Sequence, residues 1–382
     1  MVSSGSPSAD ANSPTLFLES YASGTSQGNH RVPERTINEH TVQLPDLFSS
    51  LMAIKPAVNP NYHEVKAKGN SWVIKNFHVN DDWAARFSMI EFPYMCSMWA
   101  PYCDEDHLQL VVDWNNWLQV FIFDDEFDEG RLSKDPVAAQ MELDKFLAIM
   151  DSSRPSRSLE EDPLGYLFQT IWDRVKMWSP QVMMGSIADI AAAMQQRVRD
   201  VHRYYFDGLL RQVRDAYDQR VLTQDTQEHI LNRRRTVAVY PTIVICEVAL
   251  GIQLPQEFID HPCYEQLVHI STEIVILDND ILSYKKDREQ GVDQNLIMLL
   301  KEQGLFMQQA VDEIGHLLNV RYKRWYAALA NMPILGEKSD RQVLKFVELC
   351  QNVAVGSLYW SFRTGRYSGL DDAYNNRLLR ID

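Results

Sequence analysis

The chain has 382 residues, 45% of them hydrophobic and 23% charged, with a formal net charge of −15. Such a composition belongs to a soluble globular protein with ample material for a core. The acidic balance excludes non-specific nucleic-acid binding, which needs a basic face, but leaves room for a small phosphorylated substrate whose charge divalent cations balance.

In chain order, residues 1–43 are rich in Ser, Gly, Asn, Pro and Thr, lack an apolar period and read as a disordered leader. They hold no basic region followed by an apolar core, so a cytoplasmic protein is expected. Order is expected to begin at Leu44-Pro45-Asp46-Leu47-Phe48, with Pro56 and Pro60 marking an extended connection. Beyond Asn61 the pattern is helical. Val111, Trp114, Leu118, Phe121 and Ile122 recur at three- and four-residue intervals, and similar stripes run through 160–178, 182–219, 262–284, 305–332 and 340–362. Connections are short and marked by Pro136, Pro163, Pro180, Pro255 and Pro333. No alternating strand pattern stands out, so no sheet is needed. One all-α domain over 44–370 is expected, followed by a tail, 371–382. The most apolar run, Val237–Leu254, is interrupted by Pro241, Glu247 and Gln253 and falls short of the roughly 20 residues of a membrane helix. The cysteines (Cys96, Cys103, Cys246, Cys263, Cys350) are scattered, which indicates neither a disulfide framework nor a zinc site.

Two polar clusters interrupt the apolar stripes. In Asp124-Asp125-Glu126-Phe127-Asp128, Asp124 and Asp128 share a helical face, with Asp125 beside them. Carboxylates so placed repel unless a cation lies between them, and Mg²⁺ takes such hard oxygens. A solvated acidic helix end accounts for the bare string equally well. The spacing of Asp125, Asp128 and Gly130 does not fit an EF-hand. Trp117, Val120 and Phe121 place an apolar wall below the carboxylates. In the second cluster, Asn279, Ser283 and Asp287 stand at i, i+4 and i+8, a ladder about 12 Å long at 1.5 Å per residue. Amide, hydroxyl and carboxylate oxygens form a chelating set, with Lys286 beside the last as a partner for phosphate. A polar helix end drifting into solvent is the simpler account, but it leaves Asn279-Asp280 unexplained directly after Ile274–Leu277. Arg233-Arg234-Arg235-Thr236 begins 46 residues before Asn279, and Arg366-Tyr367 begins 87 after it. Singly, such groups are surface features. Arginine nevertheless offers a planar fork matched to phosphate, and tyrosine a hydroxyl donor.

Together these residues resemble the class I terpene cyclases, specifically the fungal-type single-domain sesquiterpene synthases, over nearly all of Leu44–Tyr367. Asp124–Asp128 resembles the aspartate-rich motif of that family. Asn279-Asp280-x-x-Ser283-x-x-Lys286-Asp287 resembles its Asn-Asp-x-x-Ser-x-x-x-Asp/Glu motif. Arg233 matches the diphosphate-sensing arginine, Thr236 the linker position and Val237 the effector position, where glycine is common. Arg366-Tyr367 matches the terminal Arg-Tyr pair. The stretches Pro45–Ser50, Lys55–Tyr62, Ser97–Pro101 and Tyr359–Tyr367 resemble the presilphiperfolanol synthase branch most.

The resemblance implies an α-helical bundle around a central apolar cavity, farnesyl diphosphate as substrate and three Mg²⁺ ions. It assigns the ions to Asp124, Asp128, Asn279, Ser283 and Asp287, with Asp128 supporting Asp124. The diphosphate falls to Arg233, Lys286, Arg366 and Tyr367. The cation needs a wall that stabilises charge without attacking it; Phe121, Trp117 and Trp360 are the aromatic candidates, with Phe92 and Trp99 behind them. The implied product is a polycyclic hydrocarbon or tertiary alcohol, made by a monomer or homodimer. A chain-elongating prenyl transferase on the same fold would carry a second Asp-Asp-x-x-Asp, where this chain has Asn279-Asp280-x-x-Ser283. A protonation-initiated cyclase would carry Asp-x-Asp-Asp, which the sequence lacks. A catalytically inactive helical binding protein is the remaining alternative.

Overall fold

The computed structural model describes residues 41–77, 79–119, 127, 130, 132–151, 158–179, 187–220, 225–292, 294–367, 374 and 377–381. Helices account for most of them: α1 (Tyr62–Phe77), α2 (Asp81–Ile90), α3 (Phe92–Trp99), α4 (Glu105–Asn116), α5 (Pro136–Met150), α6 (Pro163–Trp178) and α7 (Ile187–Tyr217). After them come α8 (Thr226–Thr236), α9 (Val239–Ala249), α10 (Gln256–Ile259), α11 (Pro262–Leu282) and α12 (Tyr284–Gln290). The last three are α13 (Leu296–Glu302), α14 (Met307–Ala330) and α15 (Glu337–Ser361). The stripes expected from periodicity correspond to α4, α6, α7, α11, α14 and α15.

Local chemistry sets the ends of these helices. Asp104, Asp135, Asp162 and Asp225 accept backbone N–H bonds as N-caps of α4, α5, α6 and α8. Pro136, Pro163 and Pro262 occupy first-turn positions, where a missing N–H removes no intrahelical bond. Of the expected proline-marked connections, Pro180 lies outside the described residues.

Helices α3, α4, α9, α11 and α15 form a closed ring, each touching the next, and α15 returns to α3. Helix α11 is buried on nearly every side from Cys263 to Leu282, as befits a helix with protein all around it. Helices α8 and α14 flank it further, while α5, α6 and α7 pack outside α4 and α9. Two glycines permit close approach. A Cβ on Gly208 of α7 would lie 2.6 Å from Arg235 Cβ, and one on Gly356 of α15 would lie 3.0 Å from Trp99 Cδ1. No helix among the described residues is long and apolar enough to cross a membrane.

One departure from the sequence-based expectation concerns the chain ends. Strand β1 (Thr41–Gln43) pairs antiparallel with β2 (Leu378–Arg380), so a small sheet joins residues assigned to the leader and the tail. Three-residue strands are too short to show alternation in sequence. They hold because Val42 and Leu379 are buried against the bundle, while Gln308 of α14 bonds both the N–H and the carbonyl of Gln43.

A buried histidine fixes the seam between α4 and α7. His202 Nδ1 donates to Val198 O at 2.7 Å, and its Nε2 accepts from Trp114 Nε1 at 3.0 Å, so the ring is neutral. Burial depresses its pKa from 6.5 to about 4, despite the opposing bond to Val198. A depressed histidine pKa gives stability that is complete above about pH 6.5 and is lost as pH falls toward 4. The unfolding free energy is expected to fall by about 2 kcal/mol between pH 7 and pH 5 from this residue alone. Chemical denaturation at both pH values should show that part of the loss abolished in His202→Gln; an equal loss in both proteins would refute the assignment.

Candidate functional site

The second polar cluster spans the α11–α12 junction without losing helical register. Ser283 N donates to Asn279 O at 2.7 Å and Asp287 N to Ser283 O at 2.8 Å, so the three side chains keep the expected ladder. Ser283 Oγ donates to Asp287 Oδ2 at 2.5 Å, which brings two of the three candidate ligands together. Lys286 Nζ lies 3.2 Å from Asp287 Oδ1, beside the last of the candidate ligands.

Asn279 joins the other groups. Arg233 Nη2 donates to Asn279 Oδ1 at 3.2 Å, and Asn279 Nδ2 donates to Tyr367 Oη at 2.9 Å. The guanidinium can only donate, which fixes the amide oxygen on the arginine side. The sensor position, the ladder and the terminal tyrosine, spread over 135 positions of sequence, therefore meet at one side chain. Arg366 is half-buried at the same chain end, its N–H donating to Thr364 Oγ1 at 3.1 Å.

Asp280, absent from the sequence-derived ligand set, anchors the arrangement. It is fully buried; Oδ1 accepts from Arg233 Nη2 at 3.2 Å and Oδ2 from Leu296 N at 2.9 Å, with His229 Nε2 3.4 Å from Oδ2. Burial alone would raise its pKa; the Arg233 guanidinium, the His229 contact and the Leu296 amide outweigh it and hold the carboxyl below its ordinary value. His229 stands one turn before Arg233 on α8, a spacing that could have flagged it. Asn295 also went unrecognised, because nothing local reveals that its amide reaches back to α11 and α12.

Helix α8 ends beside the site. Val237 keeps right-handed helical geometry (φ −79°, ψ −5°), and Ala238 carries the left-handed residue (φ 62°) before α9 begins. The break thus falls one residue after the effector position, and the stiffness of a β-branched Val237 is not tested by a strained backbone. Pro241 fits the first turn of α9.

The aromatic candidates separate. Phe92 stacks on Trp360 at 5.6 Å, and Trp360 meets Tyr367 edge-on at 5.9 Å. A continuous aromatic face therefore runs from α3 to the tyrosine bonded to Asn279. Trp99 lies against Gly356 and donates to Ser357 Oγ at 3.3 Å, a packing position between α3 and α15. The ring contacts of Trp117 lie on the far side of α4, with Phe146 of α5, Phe168 of α6 and Phe206 of α7. Residues 117–119 continue α4 as a wider π turn. Asp124, Asp125, Asp128 and Phe121 lie outside the described residues. Phe127, the one residue of that stretch that is described, lines a cleft of about 870 Å³ together with Arg233 and His229.

The donor set fits a hard divalent cation: amide, hydroxyl and carboxylate oxygens, with no thiol or imidazole among the three. Among the described residues no three His, Cys, Asp or Glu groups converge on a metal position, because this wall contributes one carboxylate.

The chain is similar to known proteins over most of its length. Residues 113–324 match the family model "Terpene synthase family 2, C-terminal metal binding". The chain is 39% identical to (1R,4R,5S)-(-)-guaia-6,10(14)-diene synthase of Fusarium proliferatum, covering 95% of this chain and 92% of that protein. It is also 39% identical, over 95% of this chain and 92% of the relative, to a Gibberella fujikuroi protein named as an inactive form of the same synthase. The crystal structure of α-eudesmol synthase superposes with a TM-score of 0.68 at 21% identity, covering 82% of this chain and 98% of that one. The matched residues run from within α4, ahead of the aspartate-rich motif, through the sensor arginine and the ladder into α14, and they show that the chain belongs to the terpene synthase family, as a class I sesquiterpene synthase of the fungal type.

Proposed function

We propose that the protein ionises farnesyl diphosphate in the presence of three Mg²⁺ ions and cyclises the resulting allylic cation to a polycyclic sesquiterpene. The observation that carries this reading is the meeting of Arg233, Asn279 and Tyr367 at one amide, with Asp280 holding the arginine in place. Identity alone does not carry turnover, since one relative of equal identity is named inactive. The presence of the ladder residues and of Arg233 in this chain supports turnover here. An elongating transferase is disfavoured because this wall presents an amide and a hydroxyl where that enzyme would present aspartates.

Asn279, Ser283 and Asp287 would hold one ion, and Asp124 with Asp128 the others. Bound Mg²⁺ supplies charge that stabilises the departing diphosphate more than the intact ester. The residues of the chain do the rest. Arg233 and Arg366 present forked donors to phosphate oxygens, Lys286 a point charge and Tyr367 a hydroxyl. Negative charge grows on those oxygens as the C–O bond breaks, and donors already in place need no reorganisation at that moment. Val237, at the effector position, ends α8 where the sensor arginine begins its reach. Phe92 and Trp360 offer π faces that attract a carbocation without bonding to it, and their burial excludes the water that would quench it. Phe121 belongs to the same proposal through its place three residues before Asp124 in the sequence. Trp117, packed among Phe146 and Phe168, shapes the wall from behind.

Isothermal titration tests the trap directly: inorganic diphosphate should bind the protein only with Mg²⁺ present, and uptake without the metal, or none with it, would sink the reading. Asp124→Ala and Asn279→Ala should each abolish diphosphate release from farnesyl diphosphate, and full turnover in either would show the ligand assignment to be wrong. Gas chromatography should find cyclic C15 products from farnesyl diphosphate and little from geranylgeranyl diphosphate.

Removing the aromatic face isolates its contribution. A desolvated cation–π contact is worth about 2 kcal/mol, roughly 30-fold in rate. Trp360→Leu should lower kcat by about that factor with KM nearly unchanged and divert product toward less cyclised skeletons. An unaltered product profile would assign Trp360 to packing alone.

A further inference from the structure

Asn295 holds more than the helix it starts. Its Oδ1 accepts from Ile297 N at 3.0 Å, the ordinary cap of α13. Its Nδ2 donates to Asp280 O at 2.8 Å and to Asp287 Oδ2 at 3.0 Å. The next residue, Leu296, donates its N–H to Asp280 Oδ2. An unbroken set of contacts therefore runs from Arg233 through Asp280 and Asn295 to Asp287, and Asp280, Asn295 and Asp287 are all buried.

Capping alone does not call for this residue. Ser, Thr or Asp would accept the Ile297 N–H as well, yet none carries an amide donor. That donor fixes the far side of Asp287. With Oδ2 held by Ser283 and Asn295, rotation of the carboxylate is blocked and Oδ1 stays on the Lys286 side. The same helix start, through Leu296, fixes the carboxylate that holds Arg233.

We propose that Asn295 and Asp280 are positioning residues that lock the diphosphate-binding arginine and the cation-binding carboxylate into one register, so that loss of the Asn295 amide weakens cation and diphosphate binding together. The inference rests on reading Arg233 as a diphosphate ligand and Asp287 as a cation ligand. Groups behind metal ligands typically change affinity by about 10–100-fold when removed, which sets the scale expected here.

The test uses two conservative variants of the full chain. Asn295→Ser keeps a capping oxygen and adds no charge; Asn295→Asp keeps the shape and cap and replaces the donor by an acceptor. Mn²⁺ alone is titrated by electron paramagnetic resonance of the free ion, and inorganic diphosphate by calorimetry at saturating Mg²⁺. Both dissociation constants should rise about tenfold or more in each variant. A residue serving only as a cap would lower the thermal midpoint and leave both constants unchanged, and that result overturns the proposal. A rise for one probe alone also overturns it, because it denies the shared register. Should the aspartate variant, which buries a second carboxylate beside Asp287, not fold, the uncharged serine supplies the measurement. If the unaltered protein binds neither probe, the reading of the site fails, and that outcome is distinct from normal binding by parent and variants alike.

Discussion

A carboxylate removed from water stays ionised only where donors replace the water, and Asp280 is the place where this requirement organises the molecule. Desolvation of a buried carboxylate costs several kcal/mol, and a single distant cation does not offset it. Asp280 is supplied by the Arg233 guanidinium, the Leu296 backbone N–H and the His229 imidazole, and these outweigh its burial. Those donors come from α8, from the start of α13 and from no flexible surface group. An ion pair built this way fixes the relative position of three helices, and the proposed diphosphate ligand is one of its two charges.

Helix α8 is held to α11 twice. Glu273 lies two turns before Asp280 on the same face, fully buried, and takes Arg234 from α8 together with Arg321 and Arg324 from α14. Successive arginines thus serve different ends. Arg234 and Arg321, whose pKa values burial pushes down, tie the two flanking helices to α11 through one carboxylate. Arg233 points along α11 toward the ladder. Breaking a buried pair by removing one partner generally costs about 3–5 kcal/mol, so these two carboxylates resist any shift of α8 along α11. The end of α8 can then change direction at Val237 and Ala238 without displacing the sensor arginine. The left-handed residue costs roughly 1–2 kcal/mol, less than the pairs that hold the helix.

Periodicity alone exposed the helices, because each long one buries a stripe and the stripes recur at helical spacing. The ladder was legible for the same reason, since i, i+4 and i+8 positions share a face whatever the tertiary context. What sequence could not show was direction across helices. Trp117 shares an apolar stripe with the approach to Asp124, yet α4 is covered on two sides, and its indole turns to Phe146 and Phe168. Trp360, near the end of the 340–362 stripe, turns toward Phe92 and Tyr367. Asp280 sits beside a recognisable ligand and reads as part of its motif, while its real partners are 47, 51 and 16 positions away. The β1–β2 pair escaped detection because three residues carry too little alternation, and the anchor of its first strand, Gln308 of α14, is 265 positions away.

The amide of Asn279 shows how the same group can serve structure and chemistry. Its nitrogen is committed to Tyr367 and one lone pair of its oxygen to Arg233. A carbonyl oxygen has two lone pairs, so a second acceptor direction remains without breaking either bond. An aspartate at this position would draw Arg233 more strongly but could engage Tyr367 only by accepting its O–H, which would turn that hydroxyl away from the diphosphate it is proposed to bind. A serine would be too short to bridge the two. An asparagine can accept from the guanidinium, donate to the phenol and still leave a lone pair of its oxygen for a hard cation. Its pairing with Asp280, which carries the charge that Asn279 lacks, divides the work: the carboxylate holds the arginine in a buried site, and the neutral amide remains able to share its oxygen.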